Sequence, residues 1–445
     1  MRELTDQDMK YAAHLQRFVQ CRTVSNSDIN QIDWGEFDKL HGAFREFYPH
    51  VYKEMKLENV GPAGLQFYLK AENPSKPPLL LMAHQDVVEI GDRSKWVFDP
   101  FGGEIIDGCV CGRGSTDCKH QCLNELEAVE ALLAEGWRPD YDLYISLGYT
   151  EEVQMTNAID GAENLVQNLD KKGVHLGAVV DEGGGIFQAA EGQLEARIGL
   201  GEKAPINIEI YMDTQGGHSS TPGEGTALGT IAKAIVNIES HPFPYRLTPL
   251  AIAQLKAMAP IAPKERQAIY ADPEGKFLAL CALAKKDKIL DAMLHSTIAF
   301  TMANASAQPN VLPSRASAVV NVRVLQGDTV KGILDYFKAL LPEGVQIRLI
   351  SGNDPQTTSM PDSHVYHVTE KVLQEMYGDK LHMIPFLMLG GTDSRFYKRI
   401  TDSIILFTGH VRDSRWGAAH QVNEKIPIDA LKTGIDYFKK LLKEY

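Results

Sequence analysis

Apolar and polar residues follow two different periods along the chain. Over residues 6–22, and again from about Gly35 to Tyr48, apolar residues recur at the spacing of one helix face, which predicts two amphipathic helices. The apolar run Leu79–Ala83 follows a proline-rich turn and predicts a buried strand. Strand and helix patterns then alternate: a strand near 108–111, a long helix ending at Gly136, strand 141–148, helix 162–169 and strand 176–180. This alternation predicts an α/β sheet flanked by helices.

The pattern changes near Gly199. Residues 206–212 alternate strictly between apolar and polar, as a half-exposed strand does. The elements predicted beyond them are helix 226–238, a mixed helical segment 251–294, strands 295–302 and 316–325, helix 329–341, strand 345–350, helix 363–377, a helix opened by the loop 389–396, strand 402–408 and helix 428–442. They predict a small α+β domain inserted at 200–353 between the two parts of the α/β domain, 1–199 and 354–445.

Size and charge narrow the possible functions. At 445 residues the chain exceeds the usual limit of one core, about 250–300 residues, so two domains are expected. The net charge of −13 argues against nucleic-acid and anionic-membrane partners, which are bound through excess lysine and arginine. No apolar run approaches about 20 residues, and the polar start of the chain lacks an apolar signal core. We therefore expect a cytoplasmic protein with no membrane partner.

Cysteine usage raises one candidate site. Six cysteines make no disulfide framework in a chain of this length. Four of them cluster, at Cys109, Cys111, Cys118 and Cys122, but their spacing differs from the paired C-x2-C knuckles of structural zinc sites. We expect small buried thiols here rather than a zinc ion held by four thiolates.

Ionisable residues follow several predicted strands at the point where each strand ends. His84 and Asp86 come directly after the strand Leu79–Ala83 and point to the same side of the chain. On its own, this pair also fits a structural histidine held by a hydrogen bond. The other members of the set are Asp117, the pairs Glu151-Glu152 and Asp181-Glu182, and His420. Because functional groups collect where the strands of such sheets end, we expect these side chains to converge.

So many carboxylates in one place require a positive partner. Like charges within a few ångströms repel each other and favour protonation. A divalent cation removes this conflict, and a ligand set of histidine and carboxylate suits zinc, with cobalt or manganese as alternatives. Several carboxylates with only two histidines predict two metal ions about 3.5–4 Å apart that share one acid.

Eight ordered motifs resemble one enzyme family. They are His84-x-Asp86, Gly112-Arg113-Gly114-x-x-Asp117-x-Lys119, Glu151-Glu152, Asp181-Glu182-Gly183-Gly184, Gly217-His218-Ser219-Ser220-x-Pro222, Asn310-Val311-Leu312-Pro313, Gly391-Thr392-Asp393-Ser394-Arg395 and His420-x-Val422-Asn423-Glu424. Their order and spacing are similar to those of the dizinc aminoacylase/carboxypeptidase family, which includes acetylornithine deacetylase and succinyl-diaminopimelate desuccinylase. Over about residues 10–440 the chain looks most like carboxypeptidase S and the N-acyl-amino-acid hydrolases.

The resemblance implies both a fold and a ligand set. The fold is an aminopeptidase-like mixed sheet flanked by helices, with an inserted α+β, ferredoxin-like domain that acts as a lid and joins two copies. Two sets of zinc ligands are implied, bridged by Asp117: His84, Asp117 and Asp181 on one side, and Asp117, Glu152 and His420 on the other. Relatives use either register at the third position, so Glu182 stays open as the alternative to Asp181.

Three further residues have catalytic roles by the same resemblance. Asp86 would accept a hydrogen bond from the far ring nitrogen of His84 and so fix the tautomer of that ring. Glu151 would be the general base, which takes a proton from the attacking water and passes it to the leaving amine. His218 would donate to the tetrahedral oxyanion, often from the lid of a partner subunit. A structural histidine is the alternative for His218.

Other residues match substrate contacts or depart from the family pattern. Arg395 is similar to the arginine that grips a substrate carboxylate, a task that suits its planar fork. Asn310 and Arg323 match lid positions that help to hold the substrate, although Arg323 also fits a surface ion pair. Cys118 and His120 depart from the pattern beside the expected metal ions. We expect these two residues to pack or to support ligands rather than to bind metal.

The expected activity is zinc-dependent hydrolysis of the amide bond in an N-acyl amino acid or short peptide with a free carboxylate. A dipeptidase of the same family, and a metal-binding or peptide-binding relative without turnover, are the alternatives. Glu151, an acid without ligand duty, speaks against the second alternative. Serine hydrolysis is disfavoured, because Ser219 and Ser220 directly follow His218 and no G-x-S-x-G elbow precedes a helix. We expect a small-molecule substrate, no nucleic acid and a homodimer formed through the lid.

Overall fold

The protein divides into two units by its packing. The computed structural model describes residues 3–153, 160–189 and 192–445. The first unit contains Met1–Leu200, Ser359–Phe386 and Thr392–Tyr445, and the second contains Gly201–Thr358 and Leu387–Gly391. The domain boundaries predicted from the sequence, 1–199, 200–353 and 354–445, stay predictions, because packing alone does not show that either unit folds by itself.

Helices and strands alternate along the chain, as the sequence predicts. In the described ranges the helices are α1 (Asp6–Val19), α2 (Trp34–Phe47), α3 (Pro49–Glu54), α4 (Lys119–Ala134), α5 (Gly161–Asp170), α6 (Ala227–Glu239), α7 (Pro249–Met258), α8 (Lys264–Ala271), α9 (Phe277–Ala284), α10 (Lys288–Leu294), α11 (Val330–Leu340), α12 (His364–Tyr377) and α13 (Ile428–Glu444). Every helix predicted above, except the one expected after Leu389, is present to within a few residues. Within the described residues, no helix combines the length and apolar character that a membrane span requires.

The strands include several short ones that the sequence analysis did not predict. In the described ranges they are β1 (Lys56–Val60), β2 (Gly64–Leu69), β3 (Leu79–His84), β4 (Glu104–Ile106), β5 (Cys109–Cys111), β6 (Leu143–Gly148), β7 (Ala178–Asp181), β8 (Gly185–Gln188), β9 (Leu194–Glu202), β10 (Ala204–Asp213), β11 (Gly217–His218), β12 (Thr297–Asn304), β13 (Val311–Leu312), β14 (Arg315–Val324), β15 (Gln346–Ser351), β16 (Leu381–Met388), β17 (Ile404–Leu406), β18 (Val411–Arg412) and β19 (Lys425–Pro427). β16 was missed because Pro385 lies inside it, and proline normally argues against a strand.

A mixed sheet forms the centre of the first unit. Ten of the described strands take part, in the order β1-β2-β6-β3-β7-β17-β9-β8-β18, with β16 also paired to β9. The central strands β6, β3, β7 and β17 run parallel to one another, and the strands outside them add antiparallel pairs. Every residue of β3 and β6 is buried, as expected for strands covered on both faces. This mixed sheet flanked by helices confirms the predicted fold class.

One predicted helix is wrong. The loop after Leu389 was expected to open a helix, but Asp393–Arg399 forms a short 3₁₀ segment. The backbone N–H of Ser394 donates to the carboxylate of Asp181 at 3.0 Å and to the hydroxyl of Thr392. These contacts hold the start of the segment against the end of β7, where a polar loop is needed more than a helix.

The second unit, which is described in full, is a separate α+β layer. Its antiparallel sheet has the order β12-β14-β10-β15, and α6 and α11 pack against it. The alternating residues Ile206, Ile208 and Ile210 of β10 point into the core beside Val320 and Val322 of β14. The helices α7 to α10 are inserted between α6 and β12. That this unit is a lid or a dimerisation surface stays a prediction.

A buried lysine joins two helices of the first unit. Lys119 begins α4 and is fully buried. Its ammonium group donates to the carbonyl oxygens of Phe18 and Cys21, at 3.0 and 2.5 Å. These carbonyls lie at the end of α1 and just beyond it, and each also accepts from a backbone N–H a few residues on. Lys119 therefore adds a charged donor to the end of one helix from the start of another.

We expect Lys119→Met to lower the free energy of unfolding by about 2 kcal/mol or more, because two buried carbonyls lose their charged donor. Urea unfolding with a chelator present measures this without a contribution from bound metal. Lys10→Met, at an exposed position of α1, is the matched control and should change stability little. Equal stability of the two variants would contradict this role for Lys119.

Candidate metal centre

Three parallel strands deliver ionisable residues to one edge of the sheet. His84 is the last residue of β3, Asp181 is the last of β7, and Glu151 and Glu152 follow β6 after a two-residue link. β3 is bonded to β6 on one side and to β7 on the other. The carboxyl ends of these strands therefore meet, as expected for parallel neighbours.

Two loops complete the set with Asp117 and His420. Asp117 follows β5 through a glycine-rich turn, and Gly114 in that turn has a φ of +86°. A Cβ atom on Gly114 would lie 2.6 Å from a methyl group of Val87, so the turn requires glycine here. His420 also has a left-handed backbone, with a φ of +63°, which is uncommon for a residue other than glycine.

Asp117 lies between the two histidines. Its Oδ1 is 3.1 Å from Nε2 of His84, and its Oδ2 is 3.0 Å from Nε2 of His420. Glu152 lies 2.8 Å from His420, and Glu182 lies 3.3 Å from His84. One aspartate therefore joins two groups of potential ligands, each with a histidine and a glutamate.

The two groups differ in exposure. The side chain of His84 is 2% exposed, whereas that of His420 is 57% exposed. The side chain of Glu152 is as buried as that of His84, since only 2% of it reaches solvent. One histidine is thus enclosed by the sheet, and the other closes the site from the outside.

Asp181 and Glu182 have different contacts. Asp181 is buried, and its two carboxylate oxygens accept from the backbone N–H groups of Glu182 and Ser394, at 2.8 and 3.0 Å. Glu182 instead extends towards Nε2 of His84. Asp181 as a metal ligand stays a prediction, and the geometry favours the alternative register, in which Glu182 contacts the metal.

Asp86 organises two neighbours at once. Nδ1 of His84 donates to the backbone carbonyl of Asp86 at 3.0 Å, and the carboxylate of Asp86 is 3.5 Å from the same nitrogen. A carbonyl can only accept, so Nδ1 carries the hydrogen and Nε2 keeps its lone pair for a metal. The carboxylate also accepts from the backbone N–H groups of Glu151 and Glu152, both at 3.2 Å.

The electrostatics of the cluster fit a divalent cation. Burial raises the pKa of Glu152 to about 7, and burial with nearby negative charge raises that of Glu151 well above its usual range. Hydrogen bonds to Asp117 and Glu152 raise the pKa of His420 to about 10. Oε1 of Glu152 is buried and meets no hydrogen-bond partner among the described residues. Crowded carboxylate oxygens, one of them without a hydrogen-bond partner, and imidazole nitrogens together form the kind of ligand set that a metal ion uses.

A buried ion pair, to which the sequence analysis gave no role, braces the two loops. Nη1 of Arg113 lies 2.6 Å from Oε2 of Glu424, and both side chains are buried. Oε1 of Glu424 accepts from the backbone and hydroxyl of Thr116, at 2.7 and 2.9 Å. Arg113 also donates to the carbonyl of Gln421 at 3.3 Å. The pair therefore ties the residue before Asp117 to the residue after His420.

Cys118 and His120 lie beside the cluster. The thiol of Cys118 bonds to the backbone N–H and carbonyl of His84, and burial raises its pKa well above the usual range. Its sulfur also lies near His84 and Glu182, in a group able to hold a metal. Burial lowers the pKa of His120 to about 3, and its ring packs against His410 with centroids 4.8 Å apart. Packing and ligand support, as expected from the sequence, stay predictions for both residues.

Arg395 lies in the first unit and is already partly engaged. Its Nη1 donates to the carbonyl oxygen of Thr392 at 2.5 Å, and its Nη2 is 3.7 Å from the buried carboxylate of Asp393. Its guanidinium also stacks on Phe396, 4.5 Å from the ring centre. A role in binding a substrate carboxylate stays a prediction for this residue.

The three predicted lid residues belong to the second unit, and only two of them lie together. The exposed His218 pairs with Val311 across β11 and β13, and the carbonyl of Asn310 accepts from the backbone of Ser219 at 3.1 Å. Arg323 lies eight residues along β14 from Arg315, which starts that strand, so about 27 Å separates them. The structure therefore brings His218 and Asn310 together but not Arg323.

Comparison with known proteins gives the chain a family. The model of Peptidase family M20/M25/M40 matches residues 80–444. The N-fatty-acyl-amino acid synthase/hydrolase PM20D1 of Bos taurus is 30% identical over 435 residues, which cover 94% of this chain and 84% of that protein.

Two solved structures share the fold. The M20 family metallo-carboxypeptidase Sso-CP2 of Sulfolobus solfataricus has a TM-score of 0.74 at 19% identity and covers 99% of both chains. The YXEP protein of Bacillus subtilis, a dinuclear metal binding peptidase, has a TM-score of 0.58 at 13% identity and covers 98% of both chains. The resemblance to the aminoacylase/carboxypeptidase family is thereby confirmed. The chain is a metal-dependent hydrolase, and it belongs to Peptidase family M20/M25/M40.

Proposed function

We propose that the protein is a zinc hydrolase that cleaves the amide bond of N-acyl amino acids or short peptides with a free carboxylate. The observation that carries the proposal is Asp117 shared between two histidines, beside an acid, Glu151, that both ligand groups leave free. The bovine relative is named for hydrolysis of N-fatty-acyl amino acids, and the Sulfolobus structure is named a carboxypeptidase.

The ligand groups suggest how two zinc ions would be held. His84 and Glu182 would hold one ion, His420 and Glu152 the other, and Asp117 would bridge the pair. Histidine nitrogen and carboxylate oxygen suit zinc, with cobalt or manganese as substitutes. When bound, such a metal pair supplies Lewis-acid chemistry, which polarises the scissile carbonyl and makes water a better nucleophile at neutral pH.

The chain itself supplies the proton transfer. Glu151 lies next to Glu152 and has no carboxylate oxygen committed to a ligand group. Its carboxylate would take a proton from the attacking water and deliver it to the amine nitrogen as the amide bond breaks. Asp86 would fix the position of Glu151 by accepting from the backbone N–H of Glu151. It would fix the orientation of His84 by accepting from Nδ1 of the His84 ring.

The proposal also covers the role of the second unit and places the protein in the cytoplasm. We propose that this unit is a lid that pairs two copies, and that His218 donates to the oxyanion with Asn310 close by. All six cysteines are free thiols, which fits the reducing environment of the cytoplasm.

Removal of metal tests the proposal as a whole. Exhaustive chelation should abolish hydrolysis in a screen of N-acetylleucine, N-dodecanoylleucine, glycylleucine and their carboxamides, and zinc should restore it. Elemental analysis of the restored enzyme should give two ions per chain. A protein that kept full activity after chelation, or that hydrolysed none of these compounds with zinc present, would contradict the proposed function.

Glu151→Gln tests the general base. We expect kcat to fall by about 10²–10⁴, because the amide side chain keeps the shape but cannot accept the proton. The metal content should stay at that of the parent. Glu135→Gln, at the exposed end of α4, is the control and should leave kcat unchanged. A Glu151→Gln enzyme as fast as the parent would exclude this residue as the base.

Paired variants decide the ligand register. Glu182→Gln should weaken one metal site by about tenfold or more in a titration against a chelator, because a ligand oxygen loses its charge. Asp181→Asn keeps one of the two oxygens that accept from backbone N–H groups, and it should have the smaller effect on metal affinity. The opposite order would return the ligand role to Asp181.

A further inference from the structure

Arg412 is a half-buried arginine without a carboxylate partner. Its Nε atom is buried and has no hydrogen-bond partner, and it forms no ion pair among the described residues. The adjacent acid, Asp413, is taken by Arg415, whose Nη2 lies 2.6 Å from it and 2.9 Å from Asp429. Burying a guanidinium without a partner is costly, so this position is suited to an anion that arrives from outside.

Arg412 is held in place from both sides. Its guanidinium carbon lies 4.9 Å from the ring centre of Trp416. On another side lies Gly185, where a Cβ atom would be 3.2 Å from Nε of Arg412. Nε1 of Trp416 is also buried without a hydrogen-bond partner among the described residues. A planar fork stacked on an aromatic ring can still present the edge formed by its two Nη groups to a carboxylate, in a bidentate contact.

Neighbouring residues place this pair at the candidate metal centre. Arg412 lies on β18, which pairs with β8, and β8 begins three residues after Glu182. The ring of Trp416 contacts that of His120 edge-on, with centroids 6.2 Å apart, and His120 is three residues after Asp117. Burial lowers the pKa of Arg412, and the negative charges of Asp117 and Glu182 oppose this shift. Arg412 therefore lies near Asp117, which both groups of potential ligands share, and near Glu182.

We propose that Arg412, stacked on Trp416, binds the free carboxylate of the substrate and so selects unblocked amino acids. The proposal rests on the proposed hydrolase activity and names the group that sets its specificity. Arg412 fits this task better than Arg395, because Arg395 already donates to Thr392 and faces Asp393. A bidentate guanidinium–carboxylate contact also fixes the orientation of the substrate beside the reacting amide.

The test compares the parent holoenzyme with Arg412→Gln, Arg412→Lys and Arg395→Gln. Each is assayed on the most active N-acyl amino acid of the screen and on its carboxamide. Arg412→Gln should raise KM for the free acid by about 100-fold and leave kcat/KM for the carboxamide within about threefold. Arg412→Lys should recover part of the loss, and Arg395→Gln should leave the preference for the free acid intact. Metal content should be unchanged throughout.

Four results would overturn the proposal. They are equal losses on the two compounds, a lower metal affinity in Arg412→Gln, loss of the acid preference in Arg395→Gln instead, and a parent that hydrolyses acid and carboxamide equally well. The first two would mean that Arg412 only balances the charge of Asp117 and Glu182.

A binding measurement separates this proposal from the proposed function. N-Dodecanoylleucine is titrated into zinc-loaded Glu151→Gln protein by calorimetry, with and without Arg412→Gln. If the parent hydrolysed nothing in the screen, the proposed function would fall. A large loss of affinity for the acid, but not for its carboxamide, would still support Arg412 as its binding residue, and equal affinities would refute it.

Discussion

The first unit depends on the sharing of one carboxylate. Asp117 offers one oxygen to His84 and the other to His420, and each histidine has a glutamate beside it. In water such crowding of acids would be relieved by moving apart, but the sheet edge does not permit this. Burial therefore raises the pKa values of Glu151 and Glu152, and only a compensating positive charge lets all the acids stay ionised. The crowded carboxylates lower the stability of the protein alone, and they favour binding once metal ions are present.

Two different kinds of interaction hold the residues of the candidate metal centre in place. Backbone pairing of parallel strands fixes His84 and the acids that follow β6 and β7, so their positions follow from the register of the sheet. Asp117 and His420 lie on loops, and the buried pair Arg113–Glu424 holds those loops together. A buried ion pair is a poor source of stability on average, because the desolvation of both charges offsets their attraction. Its value here lies in specifying one arrangement of two chain segments, since Arg113 and Glu424 are 311 residues apart.

The sequence was sufficient to predict site residues where a short apolar run ended in a polar residue. Buried strands such as β3 and β7 are recognisable by their apolar composition, and the residues at their ends were therefore His84 and the acids after Val180. The choice between Asp181 and Glu182 could not be made, because adjacent residues point in opposite directions and the exact end of a strand decides which one faces the site. The half-buried position of Arg412 beside Trp416 was not predicted, because β18 is only two residues long and a lone arginine in a loop normally indicates a surface. Arg323 was grouped with Asn310 by motif, although the length of β14 separates them.

The unequal exposure of the two histidines has a consequence for how the protein acquires its metals. An ion bound on the His84 side would be reached only through the site itself, whereas an ion bound by His420 would exchange directly with solvent. Loading would then be sequential, with the enclosed position filled first and the outer position in equilibrium with the metal pool of the cell. Exchange at the outer position would then be the faster of the two.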